Sequence, residues 1–231
     1  MKSSKNFLVL AVICFLYLNS FSQGYVTQTK ESQSKMTSKS ALQMLKDGNA
    51  RFISGKSFDR DLAEQIKETS EGQYPFATIL SCIDSRVSSE LVFDQGIGDI
   101  FNVRIAGNVV DEDVLGSLEF TTKIMGSKVI LVLGHSSCGA IKGACDNAKM
   151  GNLTELLSKI KPAVDAIASD NQDRTSKNHD FVEKVAKENV ILAIKNLTDK
   201  SQVLTELVEK GEIIIVGGMY DVETGKVTFY E

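Results

Sequence analysis

Val129-Ile130-Leu131-Val132-Leu133-Gly134-His135-Ser136-Ser137-Cys138-Gly139 sets an unbroken apolar run directly before a histidine, a cysteine and a glycine. Its apolar run has no polar alternation, which suits a strand covered on both faces. Three further runs share that character: Phe76 to Ser81, Ile100 to Ile105 and Ile213 to Gly217. Segments with helical apolar stripes lie between them: Val114 to Met125 behind a cap at Asp111, Cys138 to Lys149, Leu153 to Ala168, Phe181 to Leu197 and Val203 to Glu209. Asp221 to Gly225 then turns the chain into Lys226 to Tyr230. The alternation predicts an α/β domain with a mostly parallel central sheet, flanking helices and one antiparallel edge strand.

In such sheets ligands gather beyond the carboxyl ends of the strands. His135 stands at the end of the run quoted above, and Cys138 opens the segment after it. Cys82 ends the Phe76 run fifty-three residues earlier and begins Cys82-Ile83-Asp84-Ser85-Arg86. Two thiols and one imidazole delivered to one sheet edge can give zinc three protein ligands, with the fourth position left open as in catalytic sites. Asp84 is placed to accept a proton from the metal's water. Arg86, two residues on, can grip that carboxylate with two hydrogen bonds and keep it ionised. The amides near Cys138 and Gly139, where strand becomes helix, can lower a thiolate's pKa and hold an oxyanion.

The ends of the chain set the compartment. Lys2 and Lys5, the apolar run Phe7 to Leu18 and Ser20-Phe21-Ser22 read as a signal peptide over residues 1–22, cleaved before Gln23. The mature protein is then expected in the periplasm or outside the cell, with no membrane attachment. Residues 23–39, rich in Ser, Thr, Gln and Lys, read as a flexible N-terminal segment. One catalytic domain is expected over 40–231, its first helix starting in a capping box at Ser40. A helix is also expected from Asp59 or Asp61 to about Ser70.

The formal charge of -4 becomes about -6 once Lys2 and Lys5 are gone, and no basic stripe is present. Nucleic acid is therefore a poor partner, and the absence of tryptophan removes a base-stacking platform. Cleavage takes Cys14 away and leaves Cys82, Cys138 and Cys145, an odd number that cannot form a complete intrachain disulfide framework. A Cys82–Cys138 disulfide would leave His135 and Asp84 without a role, so metal ligation explains more of the residues. His179, the other histidine, falls in a polar stretch and reads as a solvated loop residue.

Cys82-Ile83-Asp84-Ser85-Arg86-Val87 and Gly134-His135-Ser136-Ser137-Cys138-Gly139 resemble the two signature motifs of the β-class carbonic anhydrases. The similarity runs from about Leu42 to Tyr230 and includes Asn102-Val103-Arg104-Ile105-Ala106-Gly107-Asn108. The resemblance implies one zinc ion per chain on Cys82, His135 and Cys138, with Asp84 and Arg86 beside it. It implies reversible hydration of carbon dioxide to bicarbonate and a proton, by attack of a zinc-bound hydroxide. Gln73 matches in spacing a family glutamine that holds substrate from a partner subunit, and Phe101 matches an apolar wall of the carbon dioxide pocket. A homodimer or homotetramer is implied, since the helix from Leu42 to Ile53 has apolar positions with little to cover in one subunit. Ala106 and Phe120 stand where many relatives have a larger apolar residue and a tyrosine. The tryptophan of one subgroup's regulatory bicarbonate site has no counterpart here.

Two other readings share these residues. A carbonyl sulfide or carbon disulfide hydrolase would use the same ligands behind a different pocket. A non-catalytic, zinc-stabilised assembly protein would leave the Asp84–Arg86 pair without a purpose.

Overall fold

A computed structural model describes residues 25–168 and 173–230. The expected signal peptide over residues 1–22, its Cys14 and its cleavage site lie outside the described residues. Five strands form one sheet: β1 (Ala77–Ser81), β2 (Ile100–Arg104), β3 (Val129–His135), β4 (Ile214–Tyr220) and β5 (Val227–Tyr230). Their order is β2-β1-β3-β4-β5, parallel throughout except for the β4–β5 hairpin at one edge. Each apolar run became a strand, and the antiparallel edge strand is β5.

Burial explains why β1 and β3 lack alternation, because every residue of both is buried. Ile79, Leu131 and Leu133 face α2 (Ser38–Ile53), packing with Leu45, Phe76 and Phe93, so this helix covers its own subunit's sheet and does not lack a surface there as its sequence suggested. Leu80, Ile130 and Val132 face the other way, onto α5 (Glu112–Glu119), α9 (His179–Lys200) and α10 (Gln202–Glu209). Each of these fully buried aliphatic side chains stabilises the fold by about 1.5–3 kcal/mol against solvent exposure. A third apolar cluster wraps the ends of β1 and β3, with Ile141, Leu157, Ile160, Phe181 and Val185 around Cys82 and Cys138.

Several boundaries differ from the sequence reading. Residues 25–39, expected to be flexible, contain α1 (Lys30–Lys35) and the start of α2. Gln33 is buried and donates through Nε2 to the carbonyls of Pro75 and Met125, at 2.8 Å each. Tyr25 sits under the Arg60 guanidinium, 4.2 Å from its ring centre. Polar composition concealed a segment that docks through hydrogen bonds rather than through an apolar stripe. The capping box is Thr37 with Ser40, so Ser40 is the third helical residue and not the cap. Asp61 does cap α3 (Leu62–Glu68), and a single helical turn, α4 (Ser89–Val92), lies between β1 and β2. The stripe from Leu153 to Ala168 is two helices, α7 (Gly151–Ser158) and α8 (Lys161–Ala166). Pro162 forces that break, since proline fits the first turn of a helix but not its interior. Beyond α5 the chain continues as a π turn, Phe120–Ile124. Among the described residues no helix is long and apolar enough to cross a membrane.

Candidate metal centre

Strand order reverses between β1 and β3, so their carboxyl ends flank the crevice where α/β sheets bind ligands. Cys82 follows β1 directly, and His135 is the last residue of β3. Cys138 caps α6 (Gly139–Cys145). Gly134, just before the histidine, lets α9 lie close to the sheet: a Cβ there would stand 2.6 Å from Val190 Cγ2 and 2.7 Å from Met219 Sδ.

The Sγ atoms of Cys82 and Cys138 are 4.0 Å apart. Both lie with a His135 ring nitrogen inside a cluster whose ligand atoms are all within 4.8 Å of one another, and all three residues are buried. Tetrahedral zinc with bonds of about 2.3 Å to sulfur would hold two thiolates about 3.8 Å apart. His135 Nδ1 lies 2.9 Å from the Ser136 carbonyl, which fixes the proton there and leaves Nε2 as the ligand. Nε2 is buried without a hydrogen-bond partner, which is the condition expected of an atom arranged to meet a cation. The donor set fits zinc.

Electrostatics place one negative charge on the pair of sulfurs, since contact with Cys82 and burial push the Cys138 thiol up. Contact with Cys138 draws the Cys82 thiol below its ordinary range, against the opposing effect of burial, and the Gly107 N–H donates to its sulfur at 3.4 Å. Burial pulls the His135 imidazole down, but the neighbouring Cys82 thiolate outweighs it and leaves the ring easier to protonate. A bound cation would take over that stabilising role, since metal ligation needs the neutral ring and ionised thiols.

Asp84 lies beside the cluster, its Oδ2 3.9 Å from His135 Nε2. Arg86 donates to it three times: Nε to Oδ1 at 2.9 Å, Nη2 to Oδ2 at 2.8 Å and the backbone N–H to Oδ1 at 3.0 Å. This grip holds the Asp84 carboxyl far below the usual carboxylate range. A cavity of about 290 Å³ opens next to these residues, lined by Cys82, Asp84, Ala106, Gly139, Ala140 and Leu157 among others. Gly139 is exposed, and a Cβ at its position would meet nothing within 4 Å.

Phe101, expected in the pocket wall, lies elsewhere in this chain, and Gln73, expected to serve a partner's site, is also away from the cluster. Gln73 is exposed in the loop before the amino end of β1, whereas Cys82 follows its carboxyl end. Phe101 is on the edge strand β2 and lines a separate groove of about 560 Å³ with Val103, Gly116 and Phe120. His179 is not in a loop: it is the first residue of α9, exposed, with Nε2 3.8 Å from Glu183. Cys145 is buried on α6, and burial pushes its thiol up to about 11.

The sequence reading missed several groups that support the cluster. Arg104 donates to the carbonyls of Cys82 at 3.1 Å and of Asp84 at 2.7 Å, clamping the turn that carries them. Asn189, from α9, donates to the Gly107 carbonyl at 2.8 Å. Glu183 accepts from the Ser137 N–H at 2.7 Å. Tyr220 pairs with His135 across β3 and β4. The stretch Asn102 to Asn108 signalled Arg104 and Gly107; nothing local signalled the residues of α9.

The chain is similar to known proteins. The carbonic anhydrase family model matches residues 77–227. Carbonic anhydrase 2 of Mycobacterium tuberculosis is 34% identical over 192 residues, covering 80% of this chain and 89% of that protein. The β-carbonic anhydrase CafA of Aspergillus fumigatus superposes with a TM-score of 0.63 at 25% identity, over 84% of this chain and 90% of its own. A tetrameric β-carbonic anhydrase from Sordaria macrospora superposes at 0.61 with 22% identity, over 72% and 89% of the two chains, and bears on the fold alone.

Proposed function

This chain belongs to the β-class carbonic anhydrase family of enzymes, and from that premise we propose that it interconverts carbon dioxide and bicarbonate at a zinc ion on Cys82, His135 and Cys138. The observation that carries the reading is the ionised Asp84, held by Arg86 at the open side of a buried Cys–His–Cys cluster. A purely structural zinc site closes with four protein ligands and has no use for such a carboxylate.

When bound, zinc supplies the Lewis acidity that makes a water nucleophilic near neutral pH. The chain's own residues do the rest. Asp84 accepts a hydrogen bond from the attacking water and orients its lone pair, and Arg86 keeps that carboxylate ionised and turned inward. Carbon dioxide occupies the cavity beside Ala106, Ala140 and Leu157, where apolar walls suit an uncharged linear molecule. Gly139 leaves the main chain open to the developing carboxylate. The proton leaves past Asp84 to buffer. Gln73 lies before the amino end of β1 and Phe101 lines a separate groove, so their proposed roles require a neighbouring copy in a homodimer or homotetramer. The N-terminal sequence supports a periplasmic or secreted location.

The test is stopped-flow hydration of carbon dioxide by residues 23–231, with zinc content measured on the same sample. Rapid turnover at one zinc per chain is expected. Asp84→Asn should keep zinc and the fold while losing about 100-fold or more in rate. Full zinc with no hydration, together with turnover of carbonyl sulfide, would replace the substrate in this proposal.

A further inference from the structure

We infer that Glu183, on α9, is a positioning residue of the metal site: its carboxylate holds the turn that makes His135 and Cys138 converge. The inference rests on the metal-binding part of the proposed function.

Between these two ligands the chain leaves β3 and enters α6 across only Ser136 and Ser137. Ser137 makes that reversal with φ at 55°, in the left-handed region where a residue with a Cβ stays only if its surroundings hold it. Three contacts fix its neighbours. The Ser136 N–H donates to the Tyr220 carbonyl at 2.9 Å. Ser136 Oγ accepts from the Val222 N–H at 3.0 Å, and the Ser136 carbonyl meets the His135 ring. None of these engages the Ser137 N–H.

That N–H donates to Glu183 Oε1 at 2.7 Å, a short bond strengthened by the charge of its acceptor. Glu183 is well mounted for the task. Its helix neighbours Val182, Val185 and Ala186 are buried in the cluster that encloses Cys82 and Cys138. The carboxylate is therefore tied to the same packed unit as the sulfurs. Released from it, Ser137 can relax toward negative φ. Cys138 follows in the chain and would be carried out of its 4.0 Å register with Cys82. The requirement is for an acceptor at this point rather than for a charge, since the Ser137 N–H needs only a well-placed oxygen. A neutral amide of the same length should serve.

The experiment compares the parent chain with Glu183→Ala, Glu183→Gln and the double variant Ser137→Gly/Glu183→Ala. Zinc dissociation constants come from chelator competition, the cobalt(II) absorption spectrum reports ligand geometry, and circular dichroism of the metal-free chains reports the fold. Glu183→Ala should weaken zinc about 10- to 100-fold and alter the cobalt bands while the metal-free chain stays folded. Glu183→Gln should bind zinc within about threefold of the parent, because it keeps the acceptor. Ser137→Gly in the Glu183→Ala background should recover much of the loss, since glycine takes positive φ without strain. Unchanged zinc affinity and cobalt spectrum in Glu183→Ala would overturn the inference alone, as would a double variant that recovers nothing. A parent chain that takes up no zinc would overturn both this inference and the metal site beneath it.

Discussion

Arg86 determines what Asp84 can be. With two guanidinium hydrogen bonds and one from the backbone, the carboxylate is ionised at any pH where the protein works. A depressed folded pKa means that the pairing is fully present above the unfolded value of about 3.9 and is lost only as pH falls through the lower folded value. Arg86→Lys keeps a positive charge but loses the planar fork. Asp84 should then titrate closer to its ordinary range, which an NMR titration of its carboxyl carbon would read as a midpoint moved upward in pH. An unshifted midpoint would mean that the planar fork of Arg86 is not what depresses Asp84. At this scale Cys82, Asp84, Arg86, His135 and Cys138 were legible because each pair of motif residues is close in sequence. Glu183 and Asn189 were not, since they act on residues 46 and 82 positions away.

Element boundaries answer to local chemistry that a stripe of apolar residues does not reveal. Pro162 divides the run after Leu153, and Thr37 rather than Ser40 caps α2. Gly107 shows how such detail reaches the site. It has φ at 67° in the 3₁₀ turn Ala106–Asn108, and a Cβ there would stand 2.6 Å from Ile160 Cδ1. Its N–H donates to Cys82 Sγ while its carbonyl accepts from Asn189. Gly107→Ala should cost about 1–3 kcal/mol by urea denaturation and weaken zinc as well. Stability at the parent level would mean that the turn tolerates a side chain. The N-terminal helix makes a second case. Gln33→Ala strands two carbonyls, one of them buried, so a loss of about 1–3 kcal/mol is expected in the same assay. A flexible segment would give no change.

At the scale of the molecule, the parallel sheet brings together candidate ligands fifty-three residues apart. β2 is an edge strand, and Phe101, Val103 and the half-exposed Phe120 border its groove. If Gln73 serves a neighbour's cavity, Gln73→Ala chains mixed and reassociated with Asp84→Asn chains should regain activity that neither has alone. Random exchange makes about half the dimers mixed, each with one intact site. No recovery on mixing would confine each site to its own subunit. The strands, their mostly parallel arrangement and the candidate Cys–His–Cys set were legible in the sequence alone, because unbroken apolar runs admit few burial schemes and metal-binding side chains declare their chemistry. Tertiary structure decided which long-range partners hold those ligands, that the N-terminal segment docks, and that Gln73 and Phe101 lie away from the cavity. Those outcomes depend on hydrogen bonds and close approaches between distant elements, and neither leaves a period in the sequence.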